Sequence, residues 1–151
     1  MTTDEILTEA RDALAEDVIL AEWCTAQFGK GPLIMLGLDD KNPPDEGDYP
    51  LVTIIGIDQE RGSSKRETDW RLHLGVGVVN SEIVSTDSVK TFTGMLQAEQ
   101  MREIAENALY RAGLKDVNTT GESSSESYHP LYVSYSMVNV SMLKSNRRAL
   151  P

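Results

Sequence analysis

"LVTIIGIDQERGSSKRETDWRLHLGVGVV", residues 51–79, decides the fold. Two runs rich in branched and aromatic residues, 51–57 and 70–79, flank a wholly polar stretch with a turn signal at Gly62-Ser63-Ser64. Such a pattern predicts a long antiparallel hairpin. Side chains alternate between the faces of a strand. A register pairing odd with even positions is expected to place Leu51, Thr53, Ile55 and Ile57 beside Trp70, Leu72, Leu74, Val76 and Val78 on one apolar face. The other face would carry Val52, Ile54, Gly56, Asp58, Arg71, His73, Gly75 and Gly77. Glycine in a strand often marks close approach of another backbone. Gly75 and Gly77 therefore predict a shallow groove, either filled by a helix or subunit or serving as plain structural accommodation.

Before the hairpin, Leu7, Ala10, Leu14, Val18, Ala21, Cys24 and Phe28 recur at helical spacing. Thr2 or Thr3 suits the cap, and Gly29, Gly31 and Pro32 suit the end; a break near Glu16-Asp17 would make two pieces. "PLIMLGL" is a possible strand, and the acidic, proline-bearing loop that follows excludes regular structure at Pro43 and Pro44. After the hairpin, residues 80–95 are ambiguous, with "VKTFT" a possible strand. A helix is expected from about Leu96 to Ala112, its stripe being Met101, Ile104, Ala105, Ala108, Leu109 and Ala112, with Gly113 as the stop. "NTTGESSSES" reads as a polar loop. "PLYVSYSMVNVSMLK" reads as a last strand, with a bulge near Met137-Val138 to account for an apparent change of apolar phase. The fold class is α+β: a mostly antiparallel sheet built on a long hairpin, with helices packed on one face. One domain is expected over 1–143, with a basic C-terminal tail over 144–151.

The chain has 151 residues and a net charge of −10, which argues against nonspecific nucleic-acid binding. The tail, with Lys144, Arg147 and Arg148, is a local exception: a solvated end, or an arm docking on an acidic neighbour. No apolar stretch approaches the length of a membrane span, and the acidic first helix lacks the build of a secretion signal. These features point to the cytoplasm. Cys24 stands alone, which leaves no intrachain disulfide or cysteine-cluster zinc site; it reads as a small buried apolar residue.

Catalytic constellations are sparse. The two histidines, His73 and His129, read as structural or solvent-facing, and no nucleophile-elbow or phosphate-binding pattern is present. "GLDDKNPPDEGDYPLVTII" (37–55) carries Asp39, Asp40, Asp45, Glu46 and Asp48 and is the best metal candidate. Its spacing fails the calcium loop, because Asp45 stands where glycine is required. The better reading is an exposed acidic arm at a subunit contact, facing the basic hairpin tip (Arg61, Lys65, Arg66) or Arg147 and Arg148 of the tail. No cofactor and no enzymatic activity are expected.

The order of helix, D-Y-P arm, long hairpin, "TGMLQAEQMREIAENAL" helix and closing strand resembles the tail terminator and tail completion proteins of long-tailed bacteriophages and their prophage relatives. The resemblance covers nearly the whole chain and rests on element order, length and texture. It implies a virion structural protein at the tail–head junction, assembled in the bacterial cytoplasm. Such proteins form a ring, usually a hexamer, that caps the tail tube and meets the head-side connector. Genomic DNA passes through the lumen without specific binding. The resemblance makes a sheet edge of the hairpin, the acidic arm, the His73/Gly75/Gly77 face and the tail the expected interfaces. Three rival readings stay open: another head–tail connector or neck component, a small non-viral binding module, and a metal-assisted hydrolase using Asp40, Asp45 and Asp48.

Overall fold

The computed structural model describes residues 2–61, 68–114 and 122–140. Its elements run α1 (Thr3–Glu16), α2 (Val18–Phe28), β1 (Leu33–Leu36), a short 3-10 turn (Glu46–Asp48), β2 (Leu51–Arg61), β3 (Thr68–Val79), β4 (Ile83–Thr86), β5 (Val89–Phe92), α3 (Thr93–Arg111), β6 (Ser123–Tyr128) and β7 (Leu131–Val140). Five strands form one sheet in the order β1-β2-β3-β7-β6; β4 and β5 pair separately. Among the described residues, only the β1–β2 pairing is parallel. The fold is α+β, with the three helices on one face of a mostly antiparallel sheet.

The expected helical stretch breaks at Asp17. Thr2 caps α1, and Asp17 caps α2 by accepting from Leu20 N at 2.8 Å. The break resets the helical phase. Ile6, Ala10 and Leu14 are buried on α1, then Leu20 and Cys24 on α2, while Val18, expected on the inner face, is 63% exposed. Arg111 at the end of α3 donates to both oxygens of Asp17 and clasps this joint from below. Gly29 ends α2 in the left-handed conformation (φ 78°).

β2 and β3 form the hairpin at the centre of the sheet, flanked by β1 and β7. The expectation of a free hairpin edge is therefore corrected: both hairpin strands are interior. The register is also corrected. Ile54 pairs with Leu74 and Gly56 with His73, so Ile55 is an extra, bulged residue. Before the bulge, even pairs with even, and Val52 and Ile54 join Leu74, Val76 and Val78 against the helices. After it, Ile57 pairs with Leu72 and Gln59 with Trp70, the odd–even register expected throughout. Leu51, Thr53 and Ile55 consequently share the far face with Gly75 and Gly77.

No bulge interrupts β7. Its pairing with β3 is continuous from Trp70↔Val140 to Val79↔Leu131. Tyr132, Ser134, Ser136, Val138 and Val140 all face the helices and are buried. The apparent change of phase came from two serines at inward positions. The core is completed by Met101, Ala105, Ala108 and Leu109 of α3. Gly94 lets the first turn of α3 sit on the sheet, since a Cβ there would lie 2.4 Å from the Tyr132 ring. Trp70, buried, donates its indole N–H to Thr3 Oγ1 at 3.1 Å and ties β3 to α1.

The ambiguous stretch forms the β4–β5 hairpin, turned at Asp87 (φ 51°). β6 occupies part of the expected polar loop and is one edge of the main sheet; β1 is the other.

Candidate functional site

The far face of the sheet, away from the helices, is where the sequence's chemistry gathers. Its floor is Gly75 and Gly77, in a row with Thr53, Ile55, Val133 and Tyr135. The residues 37–50 connect β1 to β2 and form one wall. Both ends of this arm are pinned: Gly37 N donates to Ile54 O, Thr53 Oγ1 donates to Gly37 O at 2.7 Å, and Leu33 N donates to Pro50 O. The opposite wall is the β6–β7 turn with Tyr128 and Leu131.

The glycines are there for tyrosines of the same chain. A Cβ at Gly77 would stand 2.6 Å from the Tyr49 ring. One at Gly75 would stand 3.0 Å from Ile55 and 3.4 Å from the Tyr135 ring. An aromatic ring over a strand glycine restores the packing that the missing side chain forfeits. The arm thus fills part of the groove expected at Gly75 and Gly77; what remains is a cleft of about 200 Å³ with Tyr49, Tyr128, Tyr135, Pro43 and Pro44 on its walls. Burial, then the neighbouring Tyr135 and Asp48, push the Tyr49 phenol above its usual pKa. Burial, then Glu126, does the same to Tyr135. The phenols at neutral pH are therefore protonated, uncharged groups.

The arm's five carboxylates are all exposed. Asp39 accepts from Asn42 Nδ2, Lys41 N and Asn42 N, bonds that hold its carboxyl below the usual range. Asp48 accepts from Asp45 N and closes the 3-10 turn reciprocally with Asp45. Lys30 Nζ donates to Gly47 O. Asp39, Asp45 and Asp48 line a second cleft that shares Pro43 and Pro44 with the aromatic one. Among the described residues, no three His, Cys, Asp or Glu side chains converge on a point where a metal could sit.

His73 lies further along the same face, 34% exposed, with Nε2 2.8 Å from Asp58 Oδ2. It borders a polar extension of the groove with Glu122, Ser123 and Ser124. Among the described residues, no serine hydroxyl hydrogen-bonds to either imidazole. His129 Nδ1 meets the Tyr132 hydroxyl at 2.6 Å and packs edge-on to Phe92. Cys24 is buried, and desolvation pushes its thiol up to about 12, which leaves it unreactive in the folded chain.

On the helix side, one polar cluster sits inside the apolar layer. Arg102 Nε donates to Ser134 Oγ at 2.9 Å, Nη2 to Glu99 at 2.9 Å and Nη1 to Glu106. Ser134 donates to Glu99 Oε1 at 2.8 Å. Each member has a partner, which makes this a strut between α3 and β7 rather than an exposed reactive group.

The structure therefore brings together Asp39, Asp45, Asp48, Gly75 and Gly77 around one face, with His73 at its far end. Asp40 and Glu46 lie on the same arm, exposed. The side chain of Arg61, and all of Lys65, Arg66, Arg147 and Arg148, fall outside the described residues. Sequence reasoning missed Tyr49 and Tyr128. The signal available was the odd-numbered series Tyr49, Leu51, Thr53, Ile55, which matches the odd series of β7 once the glycines are taken as the floor. No protein-family model matches the chain, and no curated protein matches it.

Proposed function

We propose that the chain is a non-enzymatic virion structural protein, a tail terminator whose ring caps the tail tube and meets the head-side connector. The resemblance in element order supplies the family; one structural observation supports assembly. The β4–β5 hairpin stands apart from the main sheet with every strand residue of β4 exposed, and Ile83, Val84 and Val89 are 39%, 47% and 62% exposed. An isolated two-stranded hairpin is at best marginally stable in water. Apolar residues on such a projection belong against a partner. A closing ring needs two different, complementary surfaces on each copy. The hairpin is one; the acidic arm and the two sheet edges, β1 and β6, are the counterparts available. The ring, six-membered on the family pattern, would bind the tube protein on one axial face and the connector on the other. Its net negative charge would discourage DNA from adhering as it passes.

Light scattering on the purified protein across concentration, followed by electron microscopy, tests the assembly. A hexamer-sized species that vanishes in the Ile83→Ser, Val84→Ser, Val89→Ser variant is the expected result. A strict monomer at every concentration favours the second reading, a small soluble binding module, which the tyrosine-lined groove supports independently.

A further inference from the structure

The far-face groove has a composition that nothing within the described chain satisfies. Leu38, Ile55, Tyr128 and Tyr135 on its floor and walls are 46%, 40%, 60% and 36% exposed, a cluster of apolar surface on a face the helices do not reach. Beside it runs the acidic arm, where five carboxylates face a single lysine, Lys41, over residues 37–50. An apolar, aromatic cleft beside an acidic one, sharing the wall of Pro43 and Pro44, fits an extended peptide that alternates apolar and cationic side chains. Arginine suits it best, because a guanidinium stacks on tyrosine faces while pairing with carboxylates.

The chain carries one such peptide. Residues 141–151, "SMLKSNRRALP", hold Lys144, Arg147 and Arg148 with no carboxylate side chain, together with Met142, Leu143 and Leu150. Elsewhere in the chain 11 basic residues face 24 acidic ones, so this segment is the outlier in charge as the groove is in exposed apolar surface. We infer that the groove of one copy receives the basic segment 141–151 of a second copy.

Geometry favours a second copy over the same one. β7 ends at Val140, paired with Trp70, while the groove centres on Gly77 and Val133 at the other end of the sheet. From Trp70 to Gly77 is about 23 Å at about 3.3 Å per residue. Arg147 comes seven residues after Val140, so within one copy its backbone spans that distance only when fully extended, and a reversal of direction shortens its reach. Between copies no reversal is needed. Donor and acceptor then lie at opposite ends of each sheet, which is the head-to-tail arrangement a ring requires. The inference rests on the reading above only in that copies associate.

The test is titration of a synthetic SMLKSNRRALP peptide into full-length Arg147→Glu, Arg148→Glu protein, followed by NMR. Saturable binding that weakens with salt and shifts the signals of Ile55, Tyr128 and Tyr135 is expected. Tyr128→Ser, or Asp40→Lys with Glu46→Lys, should weaken it at least about fivefold. These residues are exposed, and their substitution leaves the core intact. Wild-type protein should resist the peptide when concentrated and accept it on dilution. No saturable binding up to about 1 mM peptide, or binding indifferent both to Tyr128→Ser and to the charge reversal on the arm, overturns the inference. Resistance independent of protein concentration also overturns it, since the segment would then occupy its own groove. Light scattering on the Arg147→Glu, Arg148→Glu protein separates the two proposals. If the peptide fails to bind while a ring persists, the groove assignment falls and the ring reading stands.

Discussion

At the scale of single residues, Gly77 carries the far face. A methyl group there collides with the Tyr49 ring at 2.6 Å. Gly77→Ala should therefore displace Tyr49, loosen the arm and cost about 1–3 kcal/mol, the usual range for overpacking. Urea unfolding measures it, and Tyr49→Ala in the same chain should return part of the loss. If Gly77→Ala is as stable as wild type, the ring does not rest where the structure puts it. The same clash argument applies to Gly94→Ala against Tyr132, with the loss felt in α3. Cys24 gives a second residue-scale expectation. Its thiol, buried and pushed up to about 12, should react with a disulfide reagent only as fast as the chain unfolds. Prompt labelling in native buffer would mean that α2 opens far more readily than its packing suggests.

At the scale of elements, the Arg102 cluster holds α3 to β7. Burial opposes charge on Glu99, but hydrogen bonds from Arg102 and Ser134 outweigh it, and the carboxyl titrates below its ordinary 4.5. A lowered folded-state value means that the charged form stabilises the fold. That contribution is complete above the ordinary value and is lost as pH falls through the folded one. Glu99 is more than a third exposed, so solvent screening limits the effect, and Glu99→Gln should cost about 1 kcal/mol at neutral pH. The gap between variant and wild type should narrow as pH falls below 4.5 and through the folded value, as read from urea midpoints. A constant gap across that range would assign the cluster to packing alone. Asp17→Ala should cost more, about 1–2 kcal/mol, because it removes the α2 cap together with the partner of Arg111. The elements themselves were largely legible in the sequence. The hairpin strands, α3 and the end of α2 follow from periodicity and glycine placement. Two elements were hidden for physical reasons. The bulge at Ile55 left no mark because both faces of β2 are apolar, so the residues fit either phase. β6, "SSSESY", carries almost no apolar signal; it is an edge strand held by backbone pairing to β7. Of the site, the glycine floor and the acidic arm could be read from the chain, but not their apposition. That depends on the arm folding over the far face, which only the parallel β1–β2 pairing brings about.

At the scale of the whole molecule, the fold buries the inner faces of its helices and leaves apolar side chains exposed on several other surfaces. Apolar side chains are exposed on the β4–β5 hairpin, and a tyrosine groove lies beside an acidic arm on the far face. A net charge of −10 makes copies repel at long range, which opposes association through these patches. Association should therefore strengthen when moderate salt screens that repulsion and weaken again where arginine–carboxylate pairs are screened in turn. Sedimentation at graded salt would display that maximum; a monotonic trend would mean that one class of contact suffices. As proposed, assembled copies would end a tube. The test is to add the purified protein to a polymerising tail tube protein and to measure tube lengths by electron microscopy. Tubes that shorten with dose and carry a ring at one end are the predicted result. A length distribution unchanged at saturating protein would contradict the account.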